Sequence, residues 1–176
     1  MELPSNPRAR ALIERLGLAV LPVEGGWFRQ TWQSSHRLDG DRPAGSAIIG
    51  LYAEGPDEFG GLHRLDVDEV WHFYAGDPIA LLVLHPGGRD EQVLLGPDVA
   101  GGKTPQWTVP AGSWMGARLA DGAAVGYGLF GTTLAPGWVE TSFTLGRRAE
   151  LTAGWPACTA EIERLTRPAG TEPVGG

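Results

Sequence analysis

Short strand-like segments separated by turns rich in Gly and Pro are the feature that most constrains the fold of this chain. The 176 residues include 27 Gly and 14 Pro, which favours many turns and argues against a helical bundle. Residues 46–52 and Ile79–Leu84 are clear examples, and separate strands are predicted over residues 124–130, 132–134 and 140–145. About ten such segments follow one another at the short spacing that is typical of an antiparallel sandwich or barrel. We therefore expect an all-β fold.

Helical patterns occur near the two ends of the chain. Asn6 suits an N-cap, and the apolar stripe after it predicts a helix over Pro7–Leu16. A second short helix, with two apolar residues facing inward, is predicted over residues 158–165. The length suits one domain. We expect its core to run from about residue 16 to residue 165, followed by a flexible tail over residues 166–176.

Charge and composition exclude several classes of partner. The formal net charge of −7 disfavours nucleic acid, because phosphates require a basic face. No segment reaches the run of about 20 apolar residues that a membrane-spanning helix requires. The single cysteine, Cys158, leaves no internal disulfide, and the N-terminal residues lack the apolar segment of a signal peptide. We expect a cytoplasmic protein with no nucleic-acid or membrane partner.

Residues 60–77, GGLHRLDVDEVWHFYAGD, combine two histidines with several carboxylates and three aromatic residues. His63 and Glu69 are six positions apart, and Asp66 and Asp68 lie in the bend expected between them. Two strands joined by such a bend are predicted to form a hairpin that brings His63 and Glu69 together. A base beside a carboxylate, backed by aromatic residues, is typical of a pocket for a small molecule. Each residue taken alone is also explained by a structural or solvated role.

Strand alternation separates the side chains after this bend into two sets. Glu69, Trp71 and Phe73 are expected on one face, and His72 and Tyr74 on the other. The first set would give the pocket an apolar floor. Only a bulge would bring His72 to the same face.

Arg29 lies among aromatic residues in the strand predicted over residues 27–32. Its planar guanidinium suits an anionic ligand group, and it equally suits stacking on a tryptophan at the surface or at an interface. Both alternatives stay open.

Two blocks of the sequence resemble the two motifs of the cupin superfamily. In residues 60–77, His63, Glu69 and Gly76 fall on the first histidine, the glutamate and the closing glycine of the first motif. In TPQWTVPAGSWMGA, the PAG segment matches the start of the second motif. The EGGWFR segment, the PQ before VPAGSW and the late APGW resemble an uncharacterised cupin subgroup often labelled predicted sugar epimerases. The resemblance covers nearly the whole chain and implies a double-stranded β-helix, or jelly-roll barrel.

The chain departs from the cupin pattern at two positions that usually supply metal ligands. The family's metal site normally uses three His and one Glu, but Leu65 and Met115 replace two of the histidines. A thioether is a poor ligand for Fe, Mn or Zn. We therefore expect no bound metal and no other cofactor.

The resemblance implies that the barrel binds a small polar ligand, such as a sugar or sugar nucleotide, and implies epimerase or isomerase chemistry. Abstraction of a proton beside a carbonyl needs a base, and a donor or cation for the developing enolate. His63 is the candidate base, and Glu69 is the candidate partner that orients it. The candidate ligand-binding residues are Trp27, Arg29, Ser46, Arg64, Trp71, Phe73, Gln106, Trp114 and Met115.

Two other functions stay open. A non-catalytic binding or sensing protein would use the same pocket without proton transfer, because a fold does not determine a function. A metal-dependent dioxygenase or isomerase would need ligands that Leu65 and Met115 do not supply. In each case we expect a homodimer, because open barrels leave strand edges that need cover and seven tryptophans are many for a small core.

Overall fold

The computed structural model describes residues 2–21, 23–56 and 58–168. Within these residues, eleven strands pair into two antiparallel sheets. The strands are β1 (Ala19–Val20), β2 (Trp27–Gln33), β3 (Ser46–Ala53), β4 (Phe59–Leu65), β5 (Glu69–Gly76), β6 (Ile79–Leu84), β7 (Asp90–Leu95), β8 (Gln106–Val109), β9 (Trp114–Leu119), β10 (Tyr127–Leu134) and β11 (Phe143–Leu145). One sheet has the order β1-β2-β3-β10-β5-β8, and the other has the order β11-β4-β9-β6-β7. This mostly β architecture of two sheets agrees with the jelly-roll barrel expected from the sequence.

The main core lies between the two sheets. Tyr52, Trp71 and Phe130 of the six-stranded sheet belong to the same buried cluster as Leu81 and Met115 of the five-stranded sheet. Outside the β-bulges, the inward residues of the strands recur with a period of two, as expected for a pleated strand with one face on the core. The barrel interior is therefore largely apolar, and polar side chains inside it are exceptions.

Helix α1 (Pro7–Leu16) has the bounds and the caps predicted from the sequence. The side-chain oxygen of Asn6 accepts hydrogen bonds from two backbone N–H groups of the first turn, and Gly17 ends the helix in the left-handed conformation. Ile13 packs with Trp27 in a second apolar cluster. This cluster lies on the outer face of the six-stranded sheet, so α1 covers the barrel from outside.

Helices α2 (Arg148–Gly154) and α3 (Thr159–Arg164) cover the outer face of the five-stranded sheet. Ile162 and Leu165 are fully buried against that sheet, which confirms the inward direction predicted for them. The predicted helix instead begins as a 3-10 turn over Pro156–Cys158, and α2 was not predicted at all. In the described parts of the chain, none of the helices has the length and hydropathy needed to cross a membrane.

The two strands predicted over residues 124–130 and 132–134 are one strand, β10. Gly131 lies within this strand and does not interrupt it. A neighbouring aromatic side chain occupies the space that a side chain at residue 131 would need. A Cβ atom at Gly131 would lie 2.5 Å from Oη of Tyr74 on the adjacent strand β5. The glycine therefore permits a close approach between strands rather than marking a turn.

The C-terminal region differs from the prediction in two further places. The strand predicted over residues 140–145 begins as a 3-10 turn over Glu140–Ser142, and only its last three residues, β11, form a strand, which pairs with β4. Thr166 is buried and Arg167 donates hydrogen bonds to backbone carbonyl groups, so the flexible tail predicted from residue 166 does not include them. The remainder of that prediction, residues 169–176, lies outside the described residues.

The hairpin predicted between β4 and β5 is wrong, because the two strands belong to different sheets. β4 pairs with β9 and β11, whereas β5 pairs with β8 and β10. Asp66 in the connecting bend forms a salt bridge with Arg42 at 2.9 Å, and Asp68 accepts a hydrogen bond from the loop before β9. The connection crosses the barrel and leaves His63 and Glu69 on opposing inner faces.

Candidate functional site

A β-bulge in β4 turns His63 towards the barrel interior. Gly60 pairs with Ala117 of β9, and His63 pairs with Met115, so β4 has one residue more than β9 between these pairs. Gly60 and His63 therefore both face inward, whereas strict alternation would place His63 outside. Leu62, within the bulge, packs in the outer cluster with α2 and α3.

Two glycines at the bulge allow other parts of the chain to lie directly against β4. A Cβ atom at Gly60 would lie 2.1 Å from Oη of Tyr52, and one at Gly61 would lie 3.2 Å from the carbonyl oxygen of Glu24. The N–H of Gly61 donates a hydrogen bond of 2.8 Å to that same carbonyl oxygen. The turn that carries Glu24 is therefore seated on the bulge, next to His63.

His63 is 5% exposed, and its ring is oriented by three contacts. Nδ1 lies 2.9 Å from the carbonyl oxygen of Gly61 and 3.6 Å from Oε2 of Glu24. The ring also stacks on Phe143, with 5.4 Å between ring centroids. A carbonyl oxygen only accepts hydrogen bonds, so Nδ1 carries a proton. Among the described residues no group hydrogen-bonds Nε2, which is the nitrogen left for a ligand.

Glu69 approaches this cluster from the opposing sheet and is 6% exposed. Nε1 of Trp71 donates a hydrogen bond of 3.2 Å to Oε2 of Glu69, and the side chain of Thr132 provides another. These two partners fix the carboxylate in the apolar interior, and its charge acts on His63. The charges of Glu24 and Glu69 thus act on one imidazole from two different parts of the chain.

The electrostatics of the cluster favour retention of protons. Burial raises the pKa of Glu24 and of Glu69, and the nearby positive charge of His63 opposes that rise. Burial alone would lower the pKa of His63, but Glu24, Glu69 and the Gly61 carbonyl outweigh it and raise that pKa. Burial and the same two carboxylates raise the pKa of Tyr52 well above its usual value, so its hydroxyl stays protonated near neutral pH. An imidazole and two carboxyl groups therefore compete for protons inside the barrel.

Four of the sequence-predicted ligand-binding residues face this interior. Trp71 and Phe73 follow Glu69 on the inner face of β5, as alternation predicts, and Met115 is opposite His63 on β9. Ser46 is 1% exposed, and its Oγ accepts a hydrogen bond of 3.0 Å from the N–H of Trp138. Ser46 therefore already has a structural partner.

The structure places the other candidates on the outside of the barrel, and it does not bring them to His63. Trp27 is buried under α1, and Arg29 of the same face is exposed beside the C-terminus of that helix. The guanidinium of Arg64 lies 4.7 Å from the ring of Trp114 on the outer face of the five-stranded sheet. The outward-facing candidates are Trp27, Arg29, Arg64, Gln106 and Trp114. For Arg29, the surface alternative is therefore the one that the structure favours.

Glu24, Tyr52 and Thr132 are site residues that the sequence reasoning missed. The sequence carried a signal for Tyr52, because it follows Ser46 with a period of two along the same strand. Glu24 stands before two glycines in a turn, and this pattern indicates a tight turn without indicating what its side chain contacts. Thr132 is found only through its pairing with Trp71 across β10 and β5.

His72 faces outward, as alternation predicts. Its Nε2 lies 3.1 Å from Oγ1 of Thr133, and its ring stacks beside that of Tyr74. His85 is buried, with Nδ1 3.1 Å from Oγ of Ser113. His63 is accordingly the histidine that contacts the carboxylate cluster.

The residues at the usual cupin metal positions do not fit a centre of three His and one Glu. Leu65 and Met115 are 3% and 1% exposed and both pack in the apolar core. Neither an alkyl group nor a thioether suits the metals that imidazole and carboxylate ligands hold. Across residues 2–21, 23–56 and 58–168, no group of three or more His, Cys, Asp or Glu residues is placed to hold a metal ion.

The two-sheet barrel, with a histidine and a glutamate on its facing inner walls, agrees with the jelly-roll fold expected from the sequence, and family comparison identifies its family. The chain belongs to the cupin superfamily: the model described as Cupin superfamily (DUF985) matches residues 10–146. A hypothetical protein from Leishmania major is 30% identical with a TM-score of 0.82, covering 91% of this chain and 99% of the other. A protein from Shewanella oneidensis is 32% identical with a TM-score of 0.83, covering 94% and 99%. No curated protein matches the chain.

More distant solved structures share the fold alone. A cupin 2 conserved barrel domain protein from Rhodopseudomonas palustris has a TM-score of 0.54 at 15% identity, covering 86% of this chain and 92% of the other. Oxalate decarboxylase from Bacillus subtilis has a TM-score of 0.53 at 14% identity, covering 88% of this chain and 38% of the decarboxylase. These likenesses agree with the jelly-roll barrel and short helices described above.

Proposed function

We propose that this cupin binds a small polar ligand, a sugar or sugar nucleotide, beside His63 and transfers a proton on it as an epimerase or isomerase does. The observation that carries the proposal is the buried His63, with Nδ1 3.6 Å from Glu24 and with the charge of Glu69 also acting on it, in a largely apolar interior. Burying three ionisable side chains costs free energy, so a buried cluster of this kind is typical of a site that transfers protons.

The geometry supports a defined role for each nitrogen of His63. Nδ1–H is held by the Gly61 carbonyl and the Glu24 carboxylate, so Nε2 is the acceptor for a proton taken from a ligand carbon. The imidazolium formed in this step is stabilised by Glu24 and Glu69. Tyr52, which keeps its hydroxyl proton, is a suitable donor to the developing enolate oxygen.

A stack of buried aromatic rings next to the cluster gives the interior an apolar wall. Phe130 stacks on Tyr52 with 4.7 Å between centroids, and on Trp71 with 5.0 Å. Trp71 also donates its hydrogen bond to Glu69, so the wall and the carboxylate are fixed together. Polar groups at one side of an aromatic surface are typical of small-molecule pockets.

The test is wash-in of solvent deuterium. Keto-sugars and sugar nucleotides would be incubated with the protein in D2O, and loss of each ligand proton would be followed by proton NMR. We expect exchange at a carbon next to a carbonyl, and its loss in His63→Gln. His72→Gln is the matched control, because His72 lies on the outer face of the neighbouring sheet and should leave the exchange unchanged.

The same experiment separates this proposal from its alternative. A ligand that raises the melting temperature of the protein without any proton exchange would assign a binding or sensing function and would reject the isomerase. Exchange that persists in His63→Gln would reject the role given to His63.

A further inference from the structure

We propose that Arg167 is a positioning residue for this site, which holds the turn carrying Glu24 so that the Glu24 carboxylate stays against His63. The proposal rests on the proposed function insofar as that function assigns the Glu24–His63 pair its role. It adds that the C-terminal segment, outside the barrel strands, determines the geometry of the pair.

The guanidinium of Arg167 binds the turn through its backbone. Nη1 donates to the carbonyl oxygen of Val23 at 3.1 Å and to that of Glu24 at 2.9 Å. The guanidinium carbon also lies 4.6 Å from the centre of the Phe59 ring at the start of β4. A planar cation that stacks on a ring and reaches two adjacent carbonyl groups fixes the orientation of the peptide between them.

The turn has a conformation that needs such support. Val23 has a φ of 70°, a left-handed value that β-branched residues rarely adopt. The next peptide carries Glu24, so relaxation of Val23 to negative φ would redirect the Glu24 side chain. The hydrogen bond from Gly61 N–H to the Glu24 carbonyl holds one end of this peptide, and Arg167 holds both carbonyl groups.

Gly25 makes room for the arginine. Its φ is 95°, and a Cβ atom there would lie 2.4 Å from Nη2 of Arg167 and 2.7 Å from the carbonyl oxygen of Phe59. A side chain at residue 25 would therefore displace the guanidinium or lift the turn off β4. The glycine of this turn is thus explained by the close approach of Arg167.

The chain segment just before Arg167 is attached to β4. Leu165, fully buried at the end of α3, accepts a hydrogen bond of 2.8 Å through its carbonyl oxygen from the N–H of Leu62. Leu62 is the bulge residue of β4, so the C-terminal segment is attached to the bulge that orients His63. The bulge, the turn and the C-terminal segment form one structural unit around the Glu24–His63 pair.

The test uses the His63 ring as a reporter and needs no substrate. Protein labelled with nitrogen-15 in histidine would be examined by NMR for the Nδ1 proton of His63, which Glu24 and the Gly61 carbonyl hold. The variant Glu24→Gln serves as a reference, because it gives the His63 Nδ1 proton signal in the absence of the Glu24 carboxylate. We expect Arg167→Gln to move the signal towards that of Glu24→Gln and to accelerate its exchange with solvent about tenfold or more. In the double variant, Arg167→Gln should add nothing further.

Arg148→Gln is the matched control. Nε of Arg148 binds Oγ1 of Thr166 at 2.9 Å, so this change loosens the same segment without touching the turn. It should leave the His63 signal at its wild-type position. If Arg167→Gln does not fold, Arg167→Lys is the second variant. Lysine keeps a positive charge near Phe59 but lacks the planar guanidinium, so we expect an intermediate shift of the His63 signal.

The proposal is overturned if both Arg167 variants leave the His63 signal unchanged, or if they shift it equally when Glu24 is already Gln. This readout is separate from deuterium wash-in. If the His63 signal depends on Arg167 but no ligand proton exchanges, the positioning role is upheld and the proposed isomerase is rejected. If proton exchange requires His63 but not Arg167, the isomerase is upheld and the positioning role is rejected.

Discussion

The buried cluster predicts a pH dependence of stability that the substitution Glu24→Gln should weaken. Glu24, Glu69 and His63 all have a pKa that is raised in the folded protein, from ordinary values of 4.5 for the carboxyl groups and 6.5 for the imidazole. A group with a raised folded pKa binds its proton more tightly in the folded state. Its stabilising contribution is complete below the unfolded pKa and is lost as the pH rises through the folded pKa. Stability should therefore fall as the pH rises above about 5.

The size of the effect follows from the number of protons that the folded cluster retains. Each proton held by the folded state and released on unfolding changes the free energy of unfolding by about 1.4 kcal/mol per pH unit. Net retention of one proton by the folded state corresponds to about 3–6 °C in melting temperature per pH unit for a chain of this size. Glu24→Gln removes one of the two carboxyl groups beside His63, and we expect it to reduce this slope by about half.

The assay is thermal unfolding of the wild type and Glu24→Gln in buffers from pH 5 to pH 8 at constant ionic strength. Glu150→Gln is the control, since Glu150 is exposed on α2, 3.8 Å from Arg147. The aspartates with a lowered pKa, Asp66, Asp98 and Asp121, lose their stabilising contribution only as the pH falls below this range. A wild-type melting temperature that is constant or rises from pH 6 to pH 8 would refute the reasoning, as would a slope unchanged by Glu24→Gln.

Three further outcomes are expected. Gly60→Ala should lower the free energy of unfolding by about 1–3 kcal/mol in a urea titration, because its Cβ would meet Oη of Tyr52. Gly154→Ala is the control and should not destabilise the protein, because the structure leaves open space there. Purified wild-type protein should hold no stoichiometric transition metal by elemental mass spectrometry, because Leu65 and Met115 stand at two ligand positions. Light scattering should give twice the chain mass of 18.7 kDa, and a monomer at micromolar concentration would end the homodimer prediction.

The parts of this structure that depend on local signals were predictable. The bounds of α1 follow from Asn6 and Gly17, because a cap acts within a single turn of helix. The outward direction of His72 follows from alternation along one strand. Alternation also forbids Trp114 and Met115 from facing the same side, so their joint assignment to the pocket could have been rejected from the sequence.

The remaining features depend on contacts between distant parts of the chain. A bend such as that after β4 has the same sequence signal whether the next strand pairs with β4 or crosses to the other sheet. The direction of His63 depends on a bulge that two glycines permit, and glycines fit turns equally well. The approach of Glu24 to His63 is a tertiary contact made through Gly61, and nothing in the local sequence of Glu24 indicates it.

The imidazole resonances of the four histidines, followed in one titration, show whether the interior beside His63 is the ligand site. Histidine labelled with nitrogen-15 gives signals for His36, His63, His72 and His85, and only His63 lies in the carboxylate cluster. With keto-sugars and sugar nucleotides added in turn, we predict that a ligand shifts the His63 signal while His36 and His72 stay fixed. A ligand that shifts the signal of His36 or His72 and leaves that of His63 unchanged would show that the ligand site is not the interior beside His63.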